Sequence, residues 1–163
     1  MLKAGLPPVA SEDARLLILG SLPGDASLAA REYYAHPRNH FWPLLSGIIG
    51  RDLVAMDYPE RIGALRQARV ALWDVVAEAE RPGSLDQKIR HAQMNNLPDF
   101  LTGLPALEAV AFNGRKSAAL AADAIGDLRV DVVRLPSSSP ANTLNIEAKR
   151  AIWAVLKRYL SMR

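Results

Sequence analysis

Apolar residues gather in four short runs along the chain, and between them apolar and polar positions repeat at helical spacing. The runs are Arg15–Gly20 (RLLILG), Arg69–Val75 (RVALWDV), Leu107–Asn113 (LEAVAFN) and Val130–Pro136 (VDVVRLP). They alternate only weakly, which predicts strands covered on both faces. Helices are predicted from Asn39 or His40 to about Ile49, and over Pro59–Ala68, Leu97–Leu101 and Arg115–Ala124. A last helix is predicted within residues 142–160, with Ile146, Ile152, Val155, Leu156 and Tyr159 on one stripe and Lys and Arg opposite. Strands alternating with helices predict an α/β domain, a mostly parallel sheet between helical layers. Ligands of such sheets sit beyond the carboxyl ends of the strands. Here those ends carry GSLPG (Gly20–Gly24), Asp74, NGRK (Asn113–Lys116) and PSSSPAN (Pro136–Asn142).

Composition narrows the chemistry. The chain has 163 residues, suited to one domain over residues 1–163, with no repeat and no Gly/Ser-rich linker. No apolar run approaches the roughly 20 residues of a membrane span. The start, MLKAGLPPVASEDARLL, has no apolar signal-peptide core, so a cytoplasmic protein is expected. There are no cysteines, which excludes disulfides, thiolate zinc sites, cysteine-held iron–sulfur clusters and cysteine nucleophiles. The net charge of +3 and pI of 9.4 permit a nucleic acid partner without requiring one.

The densest segment is YYAHPRNHFWPLL, Tyr33 to Leu45. Locally, Asn39 reads as a helix cap, and Phe41, Trp42, Leu44 and Leu45 read as core. The neighbouring Tyr33 and Tyr34 are not explained this way, and one of them offers a face for an extruded base. His36 and His40 are four apart, but Pro37 intervenes and the glutamate of HExxH is missing, so no metal is expected. His91, in a polar stretch, reads as a surface residue. GSLPGDAS (Gly20–Ser27) is neither a Walker loop nor GxGxxG, yet its tight turn can aim backbone N–H groups at phosphate or a base carbonyl. LPSSSPANT (Leu135–Thr143) is stiff and hydroxyl-rich: it either caps the last helix through Asn142 or Thr143 or grips a phosphate backbone. No GxSxG elbow accompanies its serines, which argues against a serine hydrolase. Asn113 either contacts a base edge or satisfies backbone in its turn.

In order and spacing, LLILGSLPGDAS, YYAHPRNHFWPLL, ALWDVV, AFNGRKSA and RLPSSSPAN resemble the uracil-DNA glycosylase superfamily, most closely its hypoxanthine-DNA (deoxyinosine) glycosylase branch. The resemblance runs from about Leu16 to the last helix. It implies a three-layer α/β/α domain around a central four-stranded parallel sheet, with no metal or organic cofactor. It implies that GSLPG is the first active-site motif and that LPSSSPAN is the second, inserted at the DNA minor groove. Several relatives carry a catalytic Asn or Asp in the first motif, where this chain has Ser21, Leu22 and Pro23. In the deoxyinosine branch the matching catalytic residue is the asparagine of HPxN, here Asn39, and Tyr34 matches the aromatic that stacks on the flipped base.

The expected activity is therefore hydrolysis of the N-glycosidic bond of a deaminated base in DNA, hypoxanthine first, by a monomer. Catalysis falls to Asn39. Base binding falls to Gly20, Ser21, Leu22, Pro23, Gly24, Tyr34 and Asn113. DNA contacts fall to Ser27, Arg38, Arg115, Lys116, Pro136, Ser137, Ser138, Ser139, Pro140 and Asn142. A uracil- or xanthine-directed enzyme of the same fold, or a noncatalytic DNA-binding module, are the alternatives.

Overall fold

The computed structural model describes residues 2–126 and 128–160, and every predicted run contains a strand. In chain order the elements are β1 (Leu2–Ala4), β2 (Leu16–Gly20), α1 (Asp25–Ala30), α2 (Phe41–Ile49), α3 (Tyr58–Gln67), β3 (Val70–Asp74), β4 (Val76–Glu80), β5 (Arg90–Met94), α4 (Leu97–Thr102), β6 (Ala109–Asn113), α5 (Arg115–Ile125), β7 (Asp131–Leu135), α6 (Ile146–Trp153) and α7 (Lys157–Leu160). Strands β2, β3, β6 and β7 form an all-parallel sheet in the order β3–β2–β6–β7.

Alternation along β2 divides the core. Leu16 and Ile18 face a layer built from Phe41, Trp42, Leu45, Leu65, Trp153 and Leu156. Leu17 and Leu19 face the other side, against Leu97 and Leu101 of α4 and Ala118, Ala121 and Ile125 of α5. All five residues of β2 and all five of β6 are buried, as strands between two helical layers must be. Among the described residues, no helix is long and apolar enough to cross a membrane.

The chain leaves β2 toward β3 on one side and later returns to β6 on the other. The order reverses between β2 and β6, and the crevice at their carboxyl ends is the place where such sheets bind ligands. The residues that open there are Gly20 and Asn113.

Three features depart from the sequence reading. A second sheet, antiparallel with order β1–β4–β5, was not visible: VAEAE and RHAQM are polar, short and interrupted by register shifts. Short α1 was also missed. The final helix starts at Ile146, capped by Asn145, whose side chain accepts from Ala148 N–H; Asn142 and Thr143 lie before it. Its buried stripe is Lys149, Trp153, Leu156 and Tyr159, while Ile152 and Val155 are exposed. Trp153 docks into the core beside Phe41, and that rotates Ile152 out.

The cap assignment is testable by chemical denaturation. Asn145→Ala should cost about 1 kcal/mol, whereas Thr143→Ala should stay within about 0.5 kcal/mol of the parent.

Candidate active site

Gly20 ends β2 where the backbone must pass two polar groups. A Cβ there would lie 2.5 Å from Asp74 Oδ1 and 3.2 Å from the Tyr34 hydroxyl. Asp74 is the last residue of β3, paired with Gly20 in register. Its Oδ2 and the Tyr34 hydroxyl are buried without a hydrogen-bond partner among the described residues. Burial raises the Asp74 carboxyl to about 7, helped by the negative charge of Asp86 and opposed by Arg81. Burial and the charge of Asp74 also raise the Tyr34 phenol, which stays protonated; the nearby Asn113 amide offsets part of that rise. Two orphaned polar atoms at a ligand crevice mark a place built to be completed by something else.

The first loop, Ser21 to Gly24, is held from below. Its carbonyls turn into the protein: Gly20 and Ser21 accept from the N–H groups of Val75 and Val76. Leu22 and Pro23 accept from the Arg81 guanidinium at 3.2 and 2.7 Å. Arg81 is 2% exposed, so this clamp is an internal one. Among the described residues no peptide bond is cis, so each inward carbonyl turns the following N–H to the opposite side; these are the N–H groups of Ser21, Leu22 and Gly24. The Leu22 side chain is buried with Val76, Ala79 and Ile89. Ser21 Oγ donates to Asp86 Oδ1 at 2.5 Å.

The HPRN turn brings Asn39 to the same region through one residue. Tyr34 adopts a left-handed backbone, φ 54, which sends it the opposite way from Tyr33. Tyr33 is buried, donating to Pro7 O, while the Tyr34 ring stacks on Phe41 at 3.9 Å and 14°. Asn39 Oδ1 accepts from Phe41 N–H at 2.9 Å. Local rules are thus half right: Asn39 bonds the helix start, but His40 occupies the cap position. Ser27 is buried and its hydroxyl accepts from Ala35 N–H, a clasp on this turn. His36 Nδ1 accepts from Arg38 N–H, and His40 Nδ1 lies 3.1 Å from Lys149 Nζ. Burial first, then the Lys149 charge, lowers the His40 pKa. His91 is exposed.

The second loop is anchored from four sides. Asn113 donates to Ser138 Oγ and accepts from Ser138 N–H, both at 2.9 Å. His40 N–H donates to Ser138 O, Lys149 Nζ to Ser139 O at 3.4 Å, and Trp153 Nε1 to Pro136 O at 3.0 Å. Ser137 packs on Gly114, where a Cβ would come within 3.1 Å. Of the two readings of Asn113, its amide takes the structural one, joining β6 to this loop. Asn142 Nδ2 donates to Ser137 O. Between the HPRN turn and this loop lies a cavity of about 380 Å³, bordered by Arg38, His40, Pro140 and Asn142. Arg115 is exposed and Lys116 half-buried at the start of α5. Asp86, Arg81 and Lys149 were missed: all three lie in polar stretches without a motif, and only the tertiary fold buries Arg81 and Lys149 and half-buries Asp86.

A sequence model described as the uracil DNA glycosylase superfamily matches residues 7–157. A hypoxanthine DNA glycosylase of Methanosarcina barkeri (strain Fusaro / DSM 804) is 40% identical over 154 residues, covering 94% of this chain and 97% of the relative. One from Methanosarcina acetivorans is 36% identical over 159 residues, covering 98% and 100%. A solution NMR structure of a candidate uracil DNA glycosylase from Methanosarcina acetivorans superposes with TM-score 0.89 at 36% identity, covering 98% of this chain and 99% of that one.

Two outcomes follow from the Gly20–Asp74 contact. Gly20→Ala should lower stability by about 1–3 kcal/mol in a denaturant titration, because the short Asp74 side chain has nowhere to retreat. Asp74 binds its proton more tightly when folded, so its contribution to stability is complete in acid. It is lost as pH rises from the ordinary carboxylate range to about 7. Asp74→Asn should remove that falling limb, so that its stability relative to the parent rises between about pH 4 and pH 7.

Proposed function

The chain belongs to the uracil-DNA glycosylase superfamily and is a DNA glycosylase, and from that membership we propose that it excises hypoxanthine from DNA with Asn39 as the catalytic group. The observation that carries this reading is the double use of Phe41. Its ring supports Tyr34 and its N–H fixes Asn39 Oδ1, so the stacking platform and the catalytic amide hold one geometry.

A base in duplex DNA must leave the helix to be reached, at a cost of a few kcal/mol that is least for a mispair. Hypoxanthine opposite thymine is such a pair. The flipped base lies on Tyr34, against the outward N–H edge of Ser21, Leu22 and Gly24. Asn39 Oδ1 has two lone pairs; Phe41 N–H takes one, and the other accepts a hydrogen bond from water. That water aims its own lone pair at C1′. The C1′–N9 bond breaks, its electron pair leaving with the purine, while the sugar becomes oxocarbenium-like. Water oxygen then bonds C1′, its proton passes to solvent, and the purine anion takes up one proton from solvent. A neutral amide is no strong base, so stabilising the departing purine dominates. The loop N–H groups and the proton of Asp74 serve that end. Bonding the helix start and catalysis are therefore compatible in Asn39: the bond to Phe41 orients the oxygen that the water uses.

The loop Pro136–Asn142 faces the DNA, with its exposed Pro140 and half-buried Ser137 and Ser139 toward the backbone. Arg38, Arg115 and Lys116 supply positive charge. Ser138 acts from within, through Asn113. Every group comes from one chain, so the reading needs only a monomer, working on DNA in the cytoplasm.

With labelled duplex containing deoxyinosine, followed by alkali, the parent protein should cut at the lesion. Asn39→Ala should lower the single-turnover rate by about 10²- to 10³-fold. No cleavage by the parent, or undiminished cleavage by Asn39→Ala, would remove this mechanism.

A further inference from the structure

Asp86 has no part in the mechanism above, yet it is aimed at the first loop from a different piece of the fold. It begins the tight turn Asp86–Lys88 between β4 and β5. The preceding segment is tied to the loop region: Arg81 Nε and Lys3 Nζ donate to Gly83 O, and Asp25 N–H donates to Ser84 Oγ. So placed, Asp86 accepts the Ser21 hydroxyl proton, and its charge reaches both Asp74 and Tyr34. Burial raises the Asp86 carboxyl above the ordinary carboxylate range, and the Ser21 hydroxyl, Arg81 and Lys116 oppose that rise.

We infer that Asp86 is a positioning residue that makes Ser21 an acceptor-only group, and that Ser21 thereby reads the ring N–H that deamination creates. The inference rests on the base lying against the first loop, as proposed above. A serine hydroxyl has one proton and two lone pairs. With the proton held by Asp86, only lone pairs remain for a ligand. Adenine presents a lone pair at N1, whereas hypoxanthine presents N1–H; cytosine and uracil differ in the same way at N3. An acceptor-only oxygen attracts the deaminated base and repels its parent. Normal adenine outnumbers the lesion overwhelmingly, so rejection matters as much as grip.

The test compares single-turnover release of hypoxanthine with release of unsubstituted purine, which has the same ring but no N1–H, from matched duplexes. Asp86→Asn can donate its amide to Ser21 Oγ and free the hydroxyl proton. It should lower the hypoxanthine-to-purine rate ratio by about ten- to a hundredfold. Ser21→Ala should lower it similarly, and the double variant should add nothing further. A purely structural role for Asp86 would slow both substrates together and leave the ratio fixed. An unchanged ratio in either single variant, with an active parent, overturns the inference; if Asp86→Asn does not fold, Ser21→Ala decides alone. A parent protein that releases no hypoxanthine removes the functional reading itself and this inference with it.

Discussion

The absence of a side chain at Gly20 is the constraint around which the site is arranged. Because nothing projects there, a buried carboxyl and a buried phenol close over the end of the central strand. Both would be costly to keep uncharged and unpartnered in an inert protein. The surrounding polar network limits that cost. Arg81 draws the loop carbonyls inward, Asp86 holds Ser21, and Asn113 occupies itself with Ser138. Among the described residues, the buried side-chain atoms left unmatched are the Tyr34 hydroxyl and Asp74 Oδ2, both at the crevice. Preorganisation of this kind, with dipoles fixed before the substrate arrives, is the main resource of an enzyme that lacks a strong base.

A second theme is the linking of loops through buried cations. Among the described residues Lys149 has no carboxylate partner; its ammonium sits between the His40 ring and the Ser139 carbonyl. Its burial depresses its pKa. Through it, the last helix joins the HPRN turn to the second loop. Arg81 does the corresponding work beneath the first loop. Neither cation is on the surface, so the mildly basic net charge says little about DNA. The DNA contacts proposed above fall instead on the exposed Arg38 and Arg115.

The central sheet was legible because its strands are buried on both faces, and continuous apolar runs such as LLILG admit few other structures. The positions of the loops followed from it, and the order of motifs named the family. The second sheet was not legible. Its stability comes from pairing with β1 and from covering Leu22, not from an apolar pattern of its own. The same blindness hid Asp86, which acquires meaning only when the hairpin folds across the first loop. The last helix shows the converse: a plausible stripe through Ile152 was displaced when Trp153 found a deeper place. Sequence periodicity offers several stripes, and packing selects among them.

The stack of Tyr34 on Phe41 carries a thermodynamic corollary. In the complex proposed above, a base laid on Tyr34 becomes the third ring of a column, after lying in another column in the double helix. Base–aromatic stacking is worth about 1–3 kcal/mol, and a DNA stacking step averages about 1.4 kcal/mol. Moving between columns is therefore close to an even exchange, indifferent to which base makes the journey. Flat faces can invite any base across; only its edge can give it a reason to stay.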